Sequence, residues 1–243
     1  MLVTENLTKL FDGFKALDGV SMQVDANSLT LIAGPNGSGK TTLINTICGF
    51  YKADGGHIFF NGEEITNLKP HEIRKRGIAR TFQIPHPLKR LTVLENLLVA
   101  VAEHPGERLL RCMRCSAWER AEADAVEKAF ELLEFLELDA LWDTEAYKLS
   151  GGQLKLLEVG RALMSDAKLI IMDEPLTGVN PKLAHCILEK LVELKKRTTF
   201  LIVEHRFDIV AAYVDKVFVM VNGRLADEKS EAFREVIRLL CFK

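Results

Sequence analysis

Hydrophobic and polar residues alternate along several segments of the chain, and this pattern predicts strands with one buried face. The alternation is clearest in ALDGVSMQV (16–24), and VTENLTKLF (3–11) before it is also predicted to be a strand. Two further segments, HIFFNGEEI (57–65) and VFVMVNGRL (217–225), place an Asn-Gly pair beside an apolar stretch, as a tight β-hairpin requires. We therefore expect part of the molecule to be an antiparallel β structure.

Three short runs are apolar without alternation, which is typical of strands in a parallel sheet that is covered on both faces. These runs are LTLIA (29–33), KLIIM (168–172) and TTFLIV (198–203). A glycine-rich loop follows the first run, Asp173 and Glu174 follow the second, and Glu204 and His205 follow the third. Ligands of such sheets bind beyond the carboxyl ends of the strands. The pattern predicts one active site built from segments that are far apart in sequence.

A helical pattern extends from about residue 70 to 163. Its clearest part, WERAEADAVEKAFELLEFLEL (118–138), predicts an amphipathic helix that packs through a single apolar stripe. The predicted stripe consists of Val126, Ala129, Phe130, Leu133 and Leu136.

Composition and charge exclude several classes of protein. The 243 residues suit one large domain, or a core with a small subdomain. A net charge of −2 argues against a nucleic-acid partner that is held by electrostatics. The basic segment KPHEIRKRG (69–77) is more readily explained as the solvated face of a helix.

Neither a membrane span nor a secretory signal is predicted. No apolar run approaches the roughly 18 residues that a membrane helix needs, and MLVTENLTKL lacks a cationic segment followed by an apolar core. We expect the protein to lie in the cytoplasm or on the cytoplasmic face of the cell membrane. Cys112 and Cys115 form a CxxC pair without a second pair nearby, which favours free thiols over a zinc or redox site.

The strongest chemical signal is GPNGSGKTT (34–42), which matches the phosphate-binding P-loop, G-x-x-x-x-G-K-[ST], between a predicted strand and a predicted helix. Glycine lets backbone amides turn towards phosphate oxygens. Lys40 is expected to reach the β- and γ-phosphates, and the Thr41 hydroxyl to bind Mg²⁺. The predicted ATP-binding residues of this loop are Gly34, Pro35, Asn36, Gly37, Ser38, Gly39, Lys40, Thr41 and Thr42.

Three polar residues at strand ends are candidates for metal binding and catalysis. Asp173 is expected to hold the Mg²⁺ shell. Glu174, which follows it, is expected to orient and partly deprotonate an attacking water. His205 is expected to contact the γ-phosphate, with its ring donor satisfied only while that phosphate is present.

A second glycine segment, KLSGGQLKLLEVGRAL (148–163), opens another predicted helix. Bare amides and a helix N-terminus favour anions, so this segment has the chemistry of a second phosphate site. Its candidate residues are Ser150, Gly151, Gly152 and Gln153. The alternative is a helix cap without a ligand.

The P-loop, a glutamine after an aromatic residue, LSGGQ, an apolar strand ending in Asp-Glu, and a downstream histidine occur in this order. In this combination the chain resembles the nucleotide-binding subunits of ABC transporters along nearly its whole length. Within that family it is most similar to the branched-chain amino-acid uptake ATPases. The segments that carry the narrower resemblance are ALDGVS (16–21), ARTFQ (79–83), LTVLENLLVA (91–100) and LIVEHRFDIV (201–210).

The resemblance implies an α/β fold: a P-loop NTPase (RecA-like) parallel-sheet core with an antiparallel β subdomain and an inserted helical subdomain. It implies a single ABC ATPase domain over 1–243. Residues 1–83 and 164–243 would form the catalytic core, and about 84–163 the helical subdomain.

The resemblance also implies roles for individual residues. Phe11 would stack on adenine, whereas its competitor Phe14 is expected to pack within a strand. Gln83 would contact Mg²⁺ or the attacking water and take part in catalysis. Two ATPase subunits would pack head to tail, so that the residues 150–153 of one subunit bind the γ-phosphate held in the P-loop of the other.

The implied function is ATP hydrolysis that powers solute import, with ATP and Mg²⁺ as ligands. The implied partners are a second ATPase subunit (a sister subunit or a second copy), integral membrane permease subunits and, indirectly, an external solute-binding protein. A soluble ABC ATPase of an iron–sulfur cluster assembly scaffold is the alternative. Two residues depart from the family pattern: Asp12 replaces a common glycine, and Asn180 replaces an aspartate, which is expected to weaken coupling between the two sites.

Overall fold

A computed structural model describes residues 1–81, 87–101 and 115–227, without the side chains of 115–118. The chain divides into two compact units. The first consists of Met1–Gln83 with Lys168–Lys243, and the second of Ile84–Ala167.

A six-stranded sheet forms the centre of the first unit, in the order β10-β9-β3-β8-β7-β6. Its strands are β3 (Leu29–Ala33), β6 (Ile78–Thr81), β7 (Leu169–Asp173), β8 (Thr199–Val203), β9 (Lys216–Val221) and β10 (Arg224–Leu225). All neighbouring pairs are parallel except β9 with β10. Every residue of β3, β7 and β8 is buried, as the unbroken apolar runs predict.

The strand β6 corrects the sequence interpretation, which places residues 78–81 inside a helical region. A helix does precede it, but Gly77 adopts a φ of 99° beyond that helix, and the chain then runs parallel to β7. The carbonyl oxygen of Gly77 accepts hydrogen bonds from the amides of Lys168 and Leu169, which sets the register. A strand of four residues is too short for its pattern to reveal.

A four-stranded antiparallel sheet, in the order β2-β1-β4-β5, completes the β structure of this unit. Its strands are β1 (Leu2–Phe11), β2 (Phe14–Val24), β4 (Gly55–Phe60) and β5 (Glu63–Glu64). The hairpin between β1 and β2 turns at Asp12 (φ 47°) and Gly13 (φ 85°), the conformation of a type I′ turn. Aspartate tolerates this positive φ better than most residues, so Asp12 suits this turn. The two predicted Asn-Gly hairpins, β4–β5 and β9–β10, are confirmed.

One hydrophobic core joins both sheets of the first unit with a helix. It includes Leu7 and Val20 from the antiparallel sheet, Ile32 and Ile171 from the parallel sheet, and Ile44 from the helix that follows the P-loop. The helices of this unit are α1 (Lys40–Ile47), α2 (Pro70–Lys75), α6 (Pro181–Leu194) and α7 (Phe207–Val210).

The second unit is helical. Its helices are α3 (Val93–Leu98), α4 (Cys115–Phe135) and α5 (Gly151–Met164), with 3₁₀ turns at Asp139–Leu141 and Ala146–Lys148. Ala129, Leu133 and Leu136 of the predicted stripe are buried, but Phe130 is 39% exposed and lies 5.8 Å from the Trp142 ring. The stripe is therefore narrower than predicted.

Gly160 of α5 lies close to two leucine side chains of the second unit. A methyl group at this position would lie 2.9 Å from side-chain atoms of both Leu97 and Leu136. The absence of a side chain lets α5 approach these two leucines.

Within the described parts of the chain, no helix is long and apolar enough to cross a membrane.

Candidate nucleotide-binding site

The glycine-rich loop links the carboxyl end of β3 to α1, and two of its glycines are required by close approach. A Cβ atom on Gly34 would lie 2.2 Å from the carbonyl oxygen of Met220. At Gly39, whose φ is 103°, a Cβ atom would lie 2.6 Å from the carbonyl oxygen of Ala16. Backbone of β9 and β2 therefore presses against the loop and fixes its course.

Lys40 is held by the loop itself. Its Nζ donates to the carbonyl oxygens of Gly34 (2.9 Å) and Pro35 (2.8 Å), and it lies 3.4 Å from the buried Ser38 Oγ. Burial lowers the pKa of Lys40, while the charges of Glu174 and Asp173 oppose that shift. The ammonium group is thus fixed at the mouth of the loop, close to two carboxylates.

The start of α1 has the features of an anion site. Gly39 precedes the helix without a side-chain cap, and the first turn contains no acidic residue. Thr41 is exposed and Thr42 is half-buried. The first amides of a helix lack intrahelical partners, so they can donate to a phosphate oxygen here.

Asp173 ends β7 and is almost completely buried. Its Oδ2 accepts a hydrogen bond of 3.0 Å from Arg80 Nη2, and Arg80 also donates to Asn45 Oδ1. Burial raises the pKa of Asp173, whereas the Arg80 guanidinium lowers it. The sequence interpretation missed Arg80, because only the recognition of β6 as a neighbour of β7 would have placed it there.

Glu174 and His205 meet at the carboxyl edge of the parallel sheet. Glu174 Oε1 lies 2.8 Å from His205 Nε2, and Thr177 Oγ1 donates to Glu174 Oε2 at 3.1 Å. The expectation that His205 is satisfied only by a γ-phosphate is therefore wrong, because Glu174 already provides a partner.

A cleft of about 410 Å³ joins the loop to this pair. Its lining includes residues of the β1–β2 hairpin, the P-loop, α1, Glu174, His205 and the β9–β10 turn. Phe11 and Phe14 both line it. Phe14 is 70% exposed, so the expectation that it packs within its strand is wrong.

Ser150 and Gln153 lie in the second unit, where they cap α5. Ser150 Oγ accepts from the Gln153 amide at 3.3 Å, and Gln153 Oε1 accepts from the Ser150 amide at 2.9 Å. Gly151 is the first residue of the helix, and Gly152 follows it. The segment therefore forms a capping box, and the Ser150 hydroxyl and the Gln153 side-chain amide still have protons to donate.

Two predicted features lie outside the described residues. Gln83 belongs to 82–86, and Cys112 belongs to 102–114. The side chain of Cys115 is also outside the description. Of the other cysteines, Cys48 is buried, which raises the pKa of its thiol to about 12, and Cys186 is half-buried.

A glycine loop between a parallel strand and a helix, with a lysine in the loop and carboxylates at the next strand ends, defines a P-loop nucleotide-binding protein. A family model described as "ABC transporter" matches residues 17–177. The chain belongs to the ABC transporter family, and it is an ATP-binding cassette of that family. The predicted resemblance and fold class are confirmed.

Relatives in two organisms are similar along nearly the full chain. A protein of Archaeoglobus fulgidus, named "Probable branched-chain amino acid transport ATP-binding protein LivG", is 60% identical over 95% of this chain and 90% of its own length. The "High-affinity branched-chain amino acid transport ATP-binding protein BraF" of Pseudomonas aeruginosa is 35% identical over 97% of this chain and 94% of its own length.

One solved structure of similar fold represents an ADP conformation. The crystal structure of the ADP conformation of an ATP-binding cassette of an ABC transporter has a TM-score of 0.82 and 51% identity to this chain. The match covers 99% of this chain and 94% of that one.

Proposed function

We propose that the protein binds and hydrolyses ATP to power the import of branched-chain amino acids through separate membrane permease subunits. The names of the relatives at 60% and 35% identity support the choice of solute. One observation carries the catalytic part of the proposal. A single cleft is lined by the P-loop, by Glu174 and by His205, whose Nε2 is 2.8 Å from the Glu174 carboxylate.

Each group of the cleft has a role in this reaction. The loop amides and Lys40 bind the phosphates and offset their negative charge. Glu174 orients a water for attack on the γ-phosphorus and accepts its proton, while the bond between that phosphorus and the leaving oxygen of ADP breaks. His205 holds the Glu174 carboxylate and also faces the cleft, where its ring can donate to a γ-phosphate oxygen. Phe11 provides the aromatic surface for adenine.

Oxygen ligands at and beside the cleft would fit Mg²⁺, which would offset the negative charge of the phosphates. Thr41 offers an exposed hydroxyl, Asp173 offers a carboxylate, and Gln83 is the third proposed ligand. No group of three or more His, Cys, Asp or Glu able to hold a metal ion occurs among the residues that the structure describes. Mg²⁺ usually keeps waters and substrate phosphates as ligands, so it needs few oxygens from the protein.

The working unit in this proposal is a head-to-tail pair of ATPase subunits, each a single ABC ATPase domain over 1–243. The residues 150–153 of one subunit approach the γ-phosphate in the P-loop of the other. The Ser150 Oγ uses a lone pair to accept from Gln153, so its own O–H proton can donate to a phosphate. ATP then stabilises the pair, and hydrolysis removes part of that stabilisation.

The proposed partners are a sister ATPase or a second copy, the permease subunits and, through them, an external solute-binding protein. This places the chain on the cytoplasmic face of the cell membrane, with no nucleic-acid partner. The alternative, an iron–sulfur scaffold ATPase, predicts co-purification with soluble proteins instead of integral membrane permeases. The relatives' names favour the transporter.

The substitution Glu174→Gln tests the proposed base. It keeps the shape of the side chain but removes the proton acceptor, so kcat for ATP hydrolysis should fall about 100-fold or more while KM changes little. The same change at Glu189, an exposed residue of α6, is the matched control and should leave both constants unchanged. A Glu174→Gln variant that hydrolyses ATP at the normal rate would contradict the assignment.

A further inference from the structure

Glu204, between β8 and His205, is completely buried, although it carries a carboxylate. Burying an unpaired charge is costly, so its hydrogen bonds decide whether this position is tolerable. Its Oε1 accepts from the Leu176 amide at 2.5 Å, and its Oε2 accepts from the His205 amide at 3.1 Å. Burial raises the pKa of Glu204, and backbone hydrogen bonds from Leu176, His205 and Arg206 oppose that rise.

The two residues after Glu204 contact the same segment that Glu204 holds. His205 contacts the side chain of Glu174, and Arg206 Nη1 donates to the carbonyl oxygen of Val179 at 2.9 Å. Three consecutive residues therefore contact residues 174–179 at three different points. We call residues 174–179 the base loop, because it begins with the proposed catalytic base.

The base loop needs such support because Glu174 has a φ of 51°, a conformation that non-glycine residues seldom adopt. Residues in sparsely populated conformations persist only where the surrounding structure holds them. The Glu174 amide donates to the Val203 carbonyl oxygen at 2.9 Å, which fixes the loop before the turn. Glu204 fixes it two residues later, at Leu176.

We infer that Glu204 is a positioning residue for ATP hydrolysis: its buried carboxylate ties the base loop to the backbone of His205, and so keeps Glu174 and His205 in register with each other. The inference rests on the proposed function, since it assumes that Glu174 acts on the attacking water. Glu204 itself does not touch the nucleotide. Arg206 supports the far end of the same loop.

The substitution Glu204→Gln tests this role. Glutamine has nearly the same volume, but its single carbonyl oxygen can accept only at one side, and its NH₂ group cannot accept from the other backbone amide. We expect kcat to fall at least tenfold, while the KM for ATP and the Kd for a fluorescent ATP analogue stay within twofold of those of the unsubstituted chain. Asp208→Asn, the same chemical change at an exposed residue of α7, should alter none of these constants.

A second substitution keeps the test decisive if Glu204→Gln does not fold. Arg206→Met removes the hydrogen bond to Val179 and should lower kcat several-fold with unchanged nucleotide affinity. If kcat, the affinity for ATP and the melting temperature all fall together, the role is only structural and the inference is overturned. So would an unchanged kcat in a variant that folds.

The two proposals fail in different ways in the same experiment. An unsubstituted full chain that binds ATP without hydrolysing it contradicts the proposed function. An unsubstituted chain that hydrolyses ATP, together with a folded Glu204→Gln chain of equal kcat, contradicts only the positioning role.

Discussion

At the scale of single residues, Phe11 and Phe14 are the two candidates for the ring that stacks on adenine. They flank one hairpin turn and line the same cleft. The ring of Phe11 contacts that of Tyr51 edge-on at 5.2 Å, and Lys9 Nζ lies 5.2 Å from its centroid. Phe11 is therefore the better anchored of the two, which favours it as a fixed surface for a base.

Removal of the Phe11 ring should weaken ATP binding by about tenfold, because stacking of a base on an aromatic ring contributes roughly 1–3 kcal/mol. Phe11→Ala and Phe14→Ala can be compared by titration with ATP and, separately, with inorganic tripolyphosphate. Tripolyphosphate lacks a base, so its affinity for Phe11→Ala should equal that for the unsubstituted chain. A larger loss of ATP affinity in Phe14→Ala would place adenine on Phe14 instead.

At the scale of elements, the sequence predicts those parts whose pattern is long or strongly apolar. The strands β3, β7 and β8 were predictable because both of their faces are buried, and their carboxyl ends led directly to the P-loop, Glu174 and His205. The strand β6 was not predictable from the sequence, because it has only four residues and one of them, Arg80, is charged. The contact of Arg80 with Asp173 and the buried bridge of Glu204 were missed as well, since both depend on which strands and loops become neighbours.

Asn180 illustrates a local role that the family comparison does not suggest. Its Oδ1 accepts from the Leu183 amide at 2.9 Å, so it caps the start of α6. Asparagine and aspartate are similarly good caps, and aspartate adds a favourable charge at a helix N-terminus. The cap gives this neutral residue a function within its own chain.

Loss of that cap should lower the free energy of unfolding by about 1 kcal/mol in Asn180→Ala. Asn180→Asp should be as stable as the unsubstituted chain or slightly more so. Urea unfolding followed by circular dichroism measures both, and Glu189→Ala, on the exposed face of the same helix, serves as the control. Equal stability of Asn180→Ala and Asn180→Asp would show that the side chain does not act as a cap.

At the scale of the whole molecule, the start of α5 contains residues that stabilise their own helix and a glycine that a second chain would explain. The capping box satisfies the backbone amides of Ser150 and Gln153 within the chain. Gly151 has no such explanation, because a Cβ atom there would meet nothing within 4 Å among the residues described, and its φ is not positive. A single chain would tolerate a side chain at Gly151, so a second surface that approaches it closely would explain the glycine.

Gly151→Ala therefore distinguishes the paired function from a simple helix cap. Alanine is a better helix former than glycine, so the melting temperature of the monomer and its affinity for ATP should be unchanged or slightly higher. ATP-driven dimerisation should nevertheless weaken by at least tenfold, as measured by sedimentation in a Glu174→Gln background that suppresses turnover. Gly160→Ala in the same helix should instead lower the melting temperature of the monomer, because its Cβ would lie 2.9 Å from two leucine side chains. If Gly151→Ala dimerises as readily as the Glu174→Gln parent, then no second surface comes close to Gly151, and residues 150–153 serve their own helix alone.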